Sequence, residues 1–194
     1  IRWFASLPFE YPDKAIAELN RALEQGAVGV MVTASINGKH LIDPLFEPVW
    51  AEINKHALPV LVHPTAPFGA KEAEFGIERI LMPGAGFMFD TTIGIARLAV
   101  DGFFERFQDL KIIASHGGGY IPYVNGRIDM FFQVETLVKM KIDKLPSEYF
   151  SRIYYDAVLY DPGALSLCID IAGPEKVLFG TDFPMPCDVP KHYD

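Results

Sequence analysis

The chain has 194 residues, half of them hydrophobic and 22% charged, which suffices for one large buried core and is too apolar for a disordered segment. A formal charge of -8, with no basic stripe, argues against a nucleic-acid partner, because such binding rests on clustered Lys and Arg. No apolar run reaches the roughly 20 residues of a membrane span.

The opening Ile1-Arg2-Trp3-Phe4 lacks an initiator Met and the basic-then-apolar layout of a signal peptide, so it reads as a cut end. A first strand is predicted over Arg2 to Ser6, followed by a helix from Pro12 to Gln25 that Gly26 stops. A second strand, Val28 to Thr33, passes through the polar loop Asn37-Gly38-Lys39 into a helix from Pro44 to His56. The third strand is Pro59 to His63. The stretch from Pro64 to Gly86 carries too many Gly and Pro residues for one regular element. A helix is predicted from Thr91 to Phe107 with Asp90 as its cap, then a strand from Lys111 to His116 and a helix from Tyr123 to Met140. Strand Ile153 to Ala157, helix Pro162 to Ala172 and strand Lys176 to Asp182 complete the series. The whole chain, 1–194, reads as one domain. Two cysteines, Cys168 and Cys187, without CxxC pairing, fit a reducing compartment, the cytoplasm.

Short β-rich runs alternating with helical segments are the pattern of β/α units on a parallel sheet. A closed barrel and an open doubly wound sheet both satisfy it, and in either one chemistry gathers at the carboxyl ends of the strands.

Three apolar strands end on a chemically competent side chain: His63 after Val60-Leu61-Val62, His116 after Ile112-Ile113-Ala114-Ser115, and Asp182 after Val177 to Thr181. Taken singly, each imidazole reads as a hydrogen-bonded structural residue and Asp182 as a turn cap. As a set on one edge of the sheet, two imidazoles and a carboxylate are a ligand set for zinc or a similar divalent ion. Gly117-Gly118-Gly119 lacks the spacing of a phosphate-binding loop and instead suits a tight turn or close approach to a ligand. Arg127, on a predicted helix, reads either as a surface charge or as a clamp on a substrate carboxylate. Asp156, near the end of its strand, supports a ligand or serves the core or a turn. His40, His56 and His192 read as structural or solvated.

Val62-His63-Pro64, Phe89-Asp90-Thr91-Thr92, Ser115-His116-Gly117-Gly118-Gly119, Asn125-Gly126-Arg127-Ile128 and Phe179-Gly180-Thr181-Asp182-Phe183-Pro184 resemble, in this order, the amidohydrolase-2 branch of the metal-dependent hydrolases. Within it the likeness is to aminocarboxymuconate-semialdehyde decarboxylase and related aromatic-acid decarboxylases. The resemblance implies a distorted (β/α)8 TIM barrel whose strands three to eight are present here. It implies that His63 and Asp182 ligate one divalent metal, zinc or alternatively manganese, and that His116 with Asp182 handles the proton. It implies that Arg127 binds substrate carboxylate in a neighbouring subunit, making a homodimer or higher homo-oligomer the functional unit. The family's His-x-His ligand pair occurs nowhere in this sequence and is expected upstream of Ile1.

The expected activity is non-hydrolytic decarboxylation of a small unsaturated or aromatic carboxylic acid. Metal-dependent hydrolysis of an ester, lactone or amide uses the same ligands and is the alternative. A non-enzymatic barrel relic is a third case, which would hold no metal.

Overall fold

The computed structural model describes residues 1–75, 80–134 and 142–185. The chain begins with strand β1 (Trp3–Ser6), helix α1 (Pro12–Glu24) and strand β2 (Ala27–Thr33). Pro12 stands in the first turn of α1, where a missing N–H costs nothing, and Ala15, Leu19 and Ala22 form its buried stripe. The expected loop Asn37-Gly38-Lys39 closes a small hairpin, β3 (Ser35–Ile36) with β4 (Lys39–His40). Helix α2 (Glu47–Lys55) follows a single 3-10 turn at Pro44–Phe46, so the expected helix divides at its start. Strand β5 (Pro59–His63) has its expected bounds.

The helix expected from Thr91 to Phe107 is two helices. α3 (Phe87–Val100) continues directly from a π turn at Met82–Gly86, and α4 (Phe103–Arg106) resumes after Gly102, whose φ of 75° ends a right-handed helix. Asp90 is therefore not a cap. It lies inside the first turn of α3, 3% exposed, and its carboxylate accepts the Thr65 N–H at 2.8 Å. Next come β6 (Lys111–Ala114) and α5 (Ile121–Phe132). Part of the helix expected to reach Met140 lies outside the described residues, as do Cys187 and His192. A short helix with no forecast, α6 (Pro146–Phe150), precedes β7 (Tyr154–Asp156), α7 (Pro162–Ala172) and β8 (Val177–Leu178). β8 is shorter than expected and ends well before Asp182.

Strands β1, β2, β5, β6, β7 and β8 form one sheet in sequence order, and every pairing is parallel. A doubly wound sheet reverses its strand order at a switch point; this one never does. Val30, Val32, Val60, Val62, Ile112 and Ala114 point to one face, against Leu19, Trp50, Ile53, Ile95 and Leu98 of the helices. Their alternating neighbours Met31, Leu61 and Ile113, aligned by register, share the other, half-buried face. Helices outside and strand side chains inside are the layers of a (β/α)8 barrel, of which six strands are seen here.

The helix layer is held by an aromatic cluster centred on Trp50, whose ring lies 5.0 Å from Phe9 and 5.1 Å from Phe103. Its indole N–H donates to Leu41 O at 2.8 Å, so burial leaves no polar atom unmet. Each such fully buried side chain contributes about 1.5–3 kcal/mol from area alone. Cys168 of α7 is buried, and burial, with the nearby Asp156 charge, pushes its thiol up to about 11. Native protein at neutral pH is expected to leave Cys168 unmodified by iodoacetamide, with labelling only after denaturation; mass spectrometry of that peptide checks this.

Candidate metal centre and active site

His63 is positioned by alternation. With Val60 and Val62 committed to the helix side, Leu61 and His63 turn to the inner face. The strand end is clamped on both sides: Ala34 N–H donates to His63 O at 2.8 Å and Ser115 N–H to Val62 O at 3.2 Å. His63 Nδ1 lies 2.9 Å from Pro64 O. A carbonyl only accepts, so Nδ1 carries the proton and Nε2 keeps its lone pair for a ligand.

His116 stands two residues beyond β6, in a tight turn with φ 53°, and Asp182 has φ 57°. Six described non-glycine residues have positive φ, and these two are both at strand-end positions singled out for chemistry. Such backbone is sparsely populated by ordinary residues and persists where the surroundings enforce it. At His116 the enforcement comes from Gly117, Gly118 and Gly119, at φ 60°, 75° and 64°. A Cβ on them would stand 2.7 Å from Leu159, 2.6 Å from the Tyr155 ring and 2.3 Å from Met88 O. The close approach expected of this run is thus to the protein's own atoms. Its N–H groups are also spent on Asp156, Ser115 and His116, so they form no phosphate cradle.

The three side chains converge. His116 Nε2 lies 3.7 Å from Asp182 Oδ2, the His63 and His116 ring centroids are 5.3 Å apart, and one ligand atom from each residue falls within 4.8 Å of the others. Ligands at 2.0–2.2 Å from one ion stand roughly 3–4 Å apart, so a closure of about 1 Å would bring this set to bonding distance. The 3.7 Å between His116 and Asp182 is longer than an ordinary hydrogen bond and leaves room between the two side chains. His116 Nδ1 is buried without a hydrogen-bond partner among the described residues. The donor chemistry and spacing fit a divalent cation.

Burial lowers the pKa of His116, reinforced by His63 and opposed by Asp156 and Asp182. The imidazole is therefore neutral near pH 7, the form that can accept a proton or bind a metal. Asp156 lies near it with a pKa raised by burial, which its backbone hydrogen bonds oppose.

The cluster opens on a cavity of about 240 Å³, walled by Phe87, Met88, Val158, Leu159 and Tyr160. That is near the small end for a ligand site and suits one ring. Hollows of about 630 and 490 Å³ lie elsewhere, around Glu47 and Arg106 and around Lys111 and Lys176, remote from the strand carboxyl ends. The convergent metal-competent groups are at the smaller cavity.

Arg127 is not brought to this cavity. It is exposed on α5, with its guanidinium 5.0 Å from the Phe131 ring centroid. His40 packs on Phe68 at 4.6 Å and His56 Nε2 lies 3.2 Å from Glu52 Oε1, so neither joins the cluster. The cavity walls, Phe87-Met88 on α3 and Val158-Leu159-Tyr160 after β7, carry no motif that marks them in the sequence.

Fold and cluster together define a barrel protein with a metal-capable site at the carboxyl ends of its strands. The amidohydrolase family model matches residues 1–192, and the chain belongs to that family. It is 31% identical over 184 residues to 2-amino-3-carboxymuconate-6-semialdehyde decarboxylase of Dictyostelium discoideum, covering 93% of this chain and 50% of that protein. Among solved structures, 5-carboxyvanillate decarboxylase from Sphingomonas paucimobilis superimposes with a TM-score of 0.80 at 30% identity, over 93% of this chain and 56% of that one. A dihydroxybenzoic acid decarboxylase from Polaromonas sp., solved with bound manganese and the inhibitor 2-nitroresorcinol, gives 0.80 at 26%, over 94% and 58%. The likeness to decarboxylases expected from the motifs is thus borne out. The chain spans 50% to 58% of the length of these relatives. No helix among the described residues is long and apolar enough to cross a membrane.

Proposed function

We propose that this chain is the catalytic part of a metal-dependent, non-hydrolytic decarboxylase of a small aromatic or unsaturated carboxylic acid. The observation that carries the proposal is the convergence of His63, His116 and Asp182 on one cavity with apolar walls. His63, through Nε2, and Asp182, through its carboxylate, would hold one divalent ion, zinc or manganese. When bound, the ion supplies a charge that orients substrate oxygens and stabilises the negative charge developing as the carbon–carbon bond breaks.

The remaining work falls to the chain itself. CO2 leaves without the bonding pair, which stays on the substrate carbon, so one proton must be held and delivered there. His116, neutral at rest and 3.7 Å from Asp182, would take up that proton from solvent and pass it to the carbon, with the carboxylate stabilising the imidazolium. Phe87, Met88 and Leu159 would press on the ring faces and exclude water.

The same reading takes 1–194 as one barrel domain in a cytoplasmic homodimer, with a His-x-His pair upstream of Ile1 completing the ligands. Supporting the dimer is the exposed face of α5, where Tyr123 is 84% exposed beside Arg127, Met130 and Phe131. There Arg127 would reach the carboxylate in a second copy's cavity. Metal-loaded enzyme is expected to release CO2 from aromatic carboxylates in a one-to-one ratio with the decarboxylated product. Acid release from esters, lactones or amides, with no CO2 from any carboxylate, would replace this reading with hydrolysis.

A further inference from the structure

Asp156 sits at the end of β7, one strand away from the strand that leads to His116. Its Oδ1 accepts the Gly117 N–H at 3.2 Å and the Val158 N–H at 3.1 Å, and its carboxylate also accepts a backbone hydrogen bond from His116. Three backbone donors thus converge on one partly buried carboxylate. Two come from the turn that bears the imidazole and one from the loop that walls the cavity.

Backbone in the left-handed region does not hold itself. His116 at φ 53° and Gly117 at φ 60° lie beyond the β6–β7 ladder, which ends at Ala114 opposite Tyr155, so their N–H groups have no ladder partner on β7. A buried N–H left unpaired is costly, so the turn needs an acceptor on that side. Asp156 is that acceptor. Val158 N–H, on the same oxygen, ties the cavity wall to the same point, so the His116 turn and the Val158-Leu159-Tyr160 wall are registered to each other. Leu159 in turn lies where any Cβ on Gly117 would be.

We propose that Asp156 is a positioning residue for the reaction, resting on the reading of His116 as the proton-transfer group: by accepting the N–H groups of His116, Gly117 and Val158 it sets the imidazole against the cavity wall. Asp156 does not line the cavity. A misplacement of about 1 Å in a proton-transfer group costs on the order of 100-fold in rate while leaving binding largely alone. The role depends on acceptor geometry, so an isosteric amide, which keeps one carbonyl oxygen for two N–H donors, should preserve most of it.

The test compares Asp156→Ala and Asp156→Asn with His116→Ala in the metal-loaded enzyme, reading kcat, KM and bound metal. Expected are a roughly 30- to 100-fold fall in kcat for Asp156→Ala, KM within about threefold, unchanged metal content, and recovery by Asp156→Asn to within about fivefold of wild type. Wild-type kcat in Asp156→Ala, or an Asp156→Asn no better than alanine, overturns the proposal, as does loss of the metal in either. If the alanine variant does not fold, Asp156→Ser takes its place, its hydroxyl accepting part of the network, and must fall between alanine's expected value and asparagine's. Full activity in His116→Ala would instead overturn the assignment of His116, a separate outcome.

Discussion

His63→Ala and Asp182→Ala each release the metal, whereas His116→Ala retains most of it and loses turnover. The prediction follows from the different backbone settings of the three residues. His63 has Nδ1 anchored on Pro64 O, which leaves Nε2 as the nitrogen available to a ligand. Asp182 supplies the one carboxylate in the set, and a carboxylate is the strongest hard ligand there. Removing either should weaken metal binding by at least about 100-fold, since outer-shell changes alone cost 10- to 100-fold. Loss of a general acid–base group typically costs about 100- to 10,000-fold in rate. Metal content after dialysis against a weak chelator, read beside kcat, separates the two cases. Equal metal loss in all three variants would make His116 a third ligand and leave the proton to another group.

Gly119→Ala is expected to destabilise the fold by more than about 3 kcal/mol, combining overpacking with backbone strain. The glycine has φ 64° and ψ -122°, outside the left-handed helical region that other residues visit. Its new methyl would stand 2.3 Å from Met88 O and 2.8 Å from Thr92 Oγ1. Neither neighbour can yield cheaply. Met88 O is the acceptor for the Thr92 hydroxyl, and that hydroxyl oxygen accepts the Tyr120 N–H at 2.7 Å. The nearest atoms to a Cβ at Gly117 are the branched end of Leu159 and at Gly118 the Tyr155 ring, side chains and not backbone, so both should cost less. Denaturant titration of the three variants checks the order; a Gly119→Ala midpoint equal to that of Gly117→Ala would show that the Met88 backbone moves freely.

The clearest elements in the sequence were those whose local signals agreed with their packing. Pro59 to His63 is a short β-branched run bounded by turns, and Pro162 to Ala172 has its Asp161 side chain accepting the Ala164 N–H as a cap. Both have the expected bounds. Where local signals competed, the sequence misled. Asp90 has the chemistry of a cap, yet π-turn continuity carries the helix back to Phe87 and buries Asp90 as the acceptor for Thr65 N–H. The apolar period from Thr91 to Phe107 runs straight through Gly102, whose positive φ breaks it, because glycine's weak helix preference says nothing about the conformation it adopts. The strand expected to reach Asp182 stops at Leu178, since the ladder to β7 ends with Asp156.

The sequence by itself determined the kind of residue at each strand end, the β/α alternation and the family resemblance, because these depend on side-chain type and local period. Tertiary structure decided the rest. Sheet order without reversal identified a barrel, and convergence of His63, His116 and Asp182 within 4.8 Å turned three separate strand ends into one candidate centre. It also left Arg127 outside the cavity and gave Asp156 three backbone donors, two of them from a turn 39 and 40 residues earlier in the chain. Such contacts join residues far apart in the chain, and which residues a strand register sets opposite one another has no signature in residue order.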